Sequence, residues 1–118
     1  MRQAFAHDAV LSMNPEADER SPGAAVTVAL CGHWEHEPPC PLSPHNVHVE
    51  RVESDLFVRV LFAVEPETER EVRRRIERAL SGQWEFPKGF TTPWRLLESR
   101  PGELSPEEVD QAQRLMRS

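Results

Sequence analysis

Six of the seven cysteines and histidines in the chain crowd into one short stretch, as Cys31, His33, His36, Cys40, His45 and His48. Packing alone gives no reason to gather them, because neutral imidazoles and thiols bury as easily apart as together. A borderline divalent ion does give one, since thiolate and imidazole donors match zinc better than magnesium or calcium. The run Cys31-x-His33-x-x-His36-x-x-x-Cys40 brings four such donors close together, and Pro38 and Pro39 stiffen the return to Cys40. Zinc is therefore the expected cofactor, with all six residues as candidate ligands. The spacing is not that of a recurrent zinc finger, whose ligand pairs lie across a longer gap.

Catalytic motifs are incomplete. His33-Trp34-Glu35 with Pro39-Cys40 falls short of the zinc-deaminase arrangement, because Ser43 stands where the second cysteine is needed. His33-x-x-His36 is not the His-Glu-x-x-His of a helical zinc-protease motif, and the nearby prolines deny it a helix. Cys40 beside His36 or His45 has the makings of a nucleophile and base, without a third group to orient them. Binding is thus favoured over catalysis. A small metal-dependent enzyme is the further alternative; it would need three protein ligands, an open water position, and Glu35 or Glu50 as base.

A second candidate site is free of metal. Glu50 and Arg59 fall on one face of an expected hairpin, and the segment from Gln83 to Thr92 carries Trp84 and Phe86 as candidate ligand walls. Together they describe an interaction or small-ligand module using an open sheet face and an aromatic loop.

The elements that must position these residues follow from periodicity and punctuation. Residues 1–23 read as a flexible arm, with a short helical stretch from Ala4 to Leu11 and a polar linker to Gly23. Residues 24–118 read as one α+β domain. Ala24 to Cys31 is apolar with a β-branched centre and predicts a strand. Asn46–Val52 and Leu56–Val64 predict a hairpin about Ser54-Asp55, pairing Val49 with Val60 and Glu50 with Arg59. Pro66 to Ser81 predicts a helix with Val72, Ile76, Ala79 and Leu80 buried and Arg73, Arg74 and Arg78 in solvent. Pro93 to Glu98 predicts a strand. Ser105 and Glu108 form a capping box for a last helix, with Leu104 and Val109 as its staple and Val109, Ala112 and Met116 as its stripe. The expected order is β-β-β-α-β-α, an antiparallel sheet covered on one face by two helices.

Charge and composition limit the partners. Fourteen Lys and Arg against 20 Asp and Glu give a net charge of −6, which disfavours a phosphate-binding surface and hence nucleic acid. No apolar run approaches the length of a membrane span. Two cysteines behind an N-terminus without a signal-peptide core point to the cytoplasm. The sheet face left open by the helices invites a homodimer, because Phe57, Leu61 and Ala29 would otherwise meet water.

Overall fold

The computed structural model describes residues 2–13, 18–31, 44–81 and 94–117. These form four strands and three helices: β1 (Gln3–Met13), α1 (Ser21–Cys31), β2 (His45–Val52), β3 (Asp55–Val64), α2 (Glu69–Leu80), β4 (Trp94–Gly102) and α3 (Val109–Met116). Single 3-10 turns at Pro66–Thr68 and Pro106–Glu108 lead into α2 and α3. The sheet is antiparallel throughout, in the order β2-β3-β1-β4. The class is α+β. Strand order and connections match the ferredoxin-like β-α-β-β-α-β arrangement, with α3 added at the C-terminus.

Two elements differ from the sequence expectation. Residues 3–13 are not part of an arm: they form β1, which pairs with β3 on one side and β4 on the other. Phe5, Ala9, Leu11 and Met13 share its inner face at a period of two, which the alanines between them obscure. Ala24 to Cys31, expected as a strand, belongs to helix α1. Of its buried residues, Pro22, Ala25, Val26, Ala29 and Leu30 recur at helical spacing and make one stripe, with Ala24 buried outside it. Pro22 sits in the first turn, where a missing N–H costs no helical hydrogen bond.

The hairpin forms with its register moved by two. Val49 faces Val58, His48 faces Arg59 and Glu50 faces Phe57, with Glu53-Ser54 as the turn. Glu50 and Arg59 are therefore not direct cross-strand partners. A shift of two preserves the faces, so both remain on the same side of the sheet. Glu53 takes the positive φ of 57° that the tight turn requires, and Ser54 accepts a backbone hydrogen bond from Met13 at 2.8 Å.

Helices lie on both faces, not on one. The main core joins Ala25, Val26, Ala29 and Leu30 of α1 and Val72, Ile76, Ala79 and Leu80 of α2 to Leu56, Val58, Val60 and Phe62 of β3. The burial of Val72, Ile76, Ala79 and Leu80 follows the expected stripe. Trp94 closes the edge by donating from Nε1 to the Leu80 carbonyl at 2.8 Å, satisfying one terminal acceptor of α2. On the opposite face α3 sets Leu115 and Met116 against Ala6, Leu61 and Ala63. Leu104 and Val109 are exposed, so the α3 stripe is carried by Ala112, Leu115 and Met116, without the staple.

Candidate functional site

α3 covers only part of its face, and beside it lies a concave pocket of about 500 Å³ lined by Asp8, Val10, His48, Glu50, Phe57, Arg59, Glu98 and Arg100. Cross-strand pairing arranges these side chains in two adjacent rows. One row runs Glu50, Phe57, Val10, Glu98 from edge to edge. The next runs His48, Arg59, Asp8, Arg100. Phe57 is 44% exposed at the centre of the first row, although it lies in the second strand of the sheet. Glu98 and Arg100 form an exposed ion pair at 3.8 Å on the β4 edge.

Arg59 forms one wall. Its Nη1 donates to both Asp8 carboxylate oxygens at 2.8 and 2.9 Å. Its Nε and Nη2 donate to the two oxygens of Glu108 at 2.9 Å each, and Nη2 also donates to the Glu103 carbonyl. All three nitrogens of the guanidinium are engaged by these contacts. Arg59 therefore clamps the start of α3 to the sheet and shapes the pocket. Its hydrogen bonds hold the Glu108 carboxyl down at about 2, aided by donation from Ser105, and raise the pKa of Arg59 itself. The capping box expected at Ser105 and Glu108 is present, with Ser105 N donating to Glu108 Oε1 at 2.9 Å. Gly102 makes the clamp possible, because a Cβ there would collide with the Asp8 carboxylate and stand 2.9 Å from Arg59 Nη1.

The sequence reading missed one further polar cluster, on the other face. His7 is 5% exposed. Its Nε2 lies 2.8 Å from Ser99 Oγ, and its Nδ1 lies 3.1 Å from Arg73 Nη1. A serine and histidine at this distance invite comparison with a nucleophile and its base. Arg73 can only donate, so Nδ1 accepts and the neutral ring carries its proton on Nε2, pointing at the serine. That is the wrong tautomer for deprotonating Ser99. Burial, then the charge of Arg73, lower the His7 pKa to about 4, against a smaller opposing effect from Asp8. The cluster is structural. Arg73, expected in solvent, is drawn in by Glu69 at 2.8 Å, by the Ala6 carbonyl at 2.7 Å, and by the rings of Phe5 and Phe62.

The proposed metal ligands divide. His33, His36 and Cys40 lie outside the described residues, as do Trp84 and Phe86. His45 and His48 are on opposite faces of the sheet: His45 Nε2 is 3.2 Å from Thr27 Oγ1 on α1, and His48 Nε2 is 3.2 Å from Gln111 Oε1 on α3. They cannot join one centre. Cys31 ends α1, which packs on the face of the sheet opposite His48. Among the described residues, no three His, Cys, Asp or Glu side chains are grouped so as to hold a metal ion. Among the same residues, no helix is long and apolar enough to cross a membrane. Comparison with known proteins finds no family model that matches the chain and no matching curated protein.

Proposed function

We propose that the chain is a binding module acting through the uncovered part of its sheet face, where it recognises an apolar group bordered by positive charge. One observation carries this reading: an exposed aromatic ring, Phe57, sits beside Val10 in a concave surface with Glu50 and Glu98 at either end of the same row. An apolar floor with a few polar groups at its edge is the usual make-up of a binding pocket, and the volume falls in the ordinary range. Arg59 is balanced by Asp8 and Glu108 inside the clamp and Arg100 lies beside Glu98, so Glu50 is the carboxylate that sets the preference in the apolar row. Titration with benzylamine, followed by amide chemical shifts, tests the reading. Shifts should centre on Val10, Phe57 and their neighbours, and benzoate should bind more weakly. Shifts elsewhere, or benzoate binding as well as benzylamine, would overturn it.

A second reading keeps zinc for the segment between α1 and β2. It is supported by the entry and exit of that segment: Cys31 ends α1, and His45 opens β2 on the same face, hydrogen-bonded to Thr27 of α1. The ligand set is then drawn from Cys31, His33, His36, Cys40 and His45, without His48. Zinc should raise the melting temperature and a chelator should lower it, because folding and binding share the same ligands. Metal-free protein that gains no stability from added zinc would dismiss this reading. Two cysteines used as thiolate ligands also fit a reducing cytoplasm better than a disulfide role.

A further inference from the structure

We propose that the partner for this face is a second copy of the chain, packed face to face about a two-fold axis that runs across the strands between the two rows. The proposal rests on the binding face described above and names its occupant. The charge pattern distinguishes the possible axes. An axis parallel to the strands would place the β2 edge of one copy over the β4 edge of the other, and so Glu50 over Glu98. Like charges opposed in an interface are strongly unfavourable.

The axis across the strands exchanges the rows and leaves each edge over its own counterpart. Glu98 of one copy then meets Arg100 of the other, and Glu50 meets His48. Both pairings occur twice, as an isologous interface requires. The loose Glu98–Arg100 pair of each chain becomes half of a four-charge square of alternating sign. At the centre, Phe57 and Val10 of each copy come over Arg59 and Asp8 of the other. An aromatic ring can stack on the plane of a guanidinium whose three nitrogens are already engaged.

The position of α3 agrees with this axis. It covers Ala6, Leu61 and Ala63 toward one end of the face and so stands proud of the sheet on one side of the two rows. Rotation about an axis across the strands sends the two α3 helices to opposite ends of the assembly. Rotation about an axis parallel to the strands would bring them to the same end, over each other.

Sedimentation equilibrium of the full chain tests the inference, with charge exchange on β4. The natural chain should dimerise. Arg100→Glu alone and Glu98→Arg alone should each weaken association roughly tenfold or more, since each opposes like charges across the axis. The double variant carrying both changes should recover association, because the square is rebuilt with signs reversed. Both positions are exposed, so circular dichroism should be unchanged. Strengthening by Glu98→Arg alone would overturn the proposed axis, and a natural chain that stays monomeric at every accessible concentration would overturn the dimer. A monomer whose Val10 and Phe57 amides still respond to benzylamine would leave the binding face standing, whereas a monomer without that response would remove both.

Discussion

Asp8 on β1 and Arg59 on β3 face each other directly across the ladder, and the Asp8 carboxylate accepts two hydrogen bonds from a single guanidinium nitrogen. Arg59 then carries the link onward to Glu108, so a central strand and the start of α3 are held by one side chain. Arg59→Met should destabilise the fold by about 1–3 kcal/mol, the upper figure being tempered by partial solvent access. Hydrogen exchange should show α3 amides opening well before those of β3. Equal protection of both elements in the variant would mean that α3 is held by Leu115 and its neighbours alone.

Glycine substitutions at two sites should act in opposite directions. Gly102→Ala pushes a methyl group into the Asp8–Arg59 contact and should cost about 1–3 kcal/mol in urea unfolding. Gly23→Ala, in the first turns of α1, meets the Val47 side chain at an ordinary 3.5 and 3.7 Å. It should stabilise by roughly 0.5–1 kcal/mol through helix propensity and reduced freedom of the unfolded chain.

Acid should act on the fold through His7 before it acts through Glu108. The His7 pKa lies below its unfolded value of 6.5, at about 4, so its contribution is complete above pH 6.5 and is lost as pH falls toward 4. Arg73, Asp8 and Glu69 are the charged groups around it. Glu108 follows the carboxylate case: its contribution is complete above pH 4.5 and is lost as pH falls toward 2. Stability measured against pH should therefore decline in two windows, and His7→Gln should flatten the upper one. An NMR titration placing His7 near 6.5 would contradict the tautomer and burial described above.

Ile76 is wholly buried between α2 and the sheet. Ile76→Ala should cost about 2–5 kcal/mol from lost apolar burial and the cavity left behind. A change below about 1 kcal/mol in chemical denaturation would show that the α2 stripe repacks freely.

Some of this protein was written in local sequence. The α2 stripe could be read because large apolar residues recur at helical spacing between charged ones, with Pro66 and the glutamates marking the start. The faces of the hairpin were equally legible, and Glu50 and Arg59 both reached the pocket although their pairing was off by two residues. Ser105 and Glu108 announced their box. The alanine-rich segments could not be read this way. Alanine fits either a strand or a helix, so β1 took its strand form from the ladders on both sides, and α1 its helix from a stripe facing the sheet. Tertiary structure also decided that α3 lies on the face opposite α1 and α2, that His45 and His48 point apart, and that Arg59 is a clamp. Those facts depend on contacts such as Arg59 with Asp8, 51 positions apart, and Arg59 with Glu108, 49 apart. Local periodicity carries no information about which strand lies next to which, and pairing across the sheet is what brings such charges together.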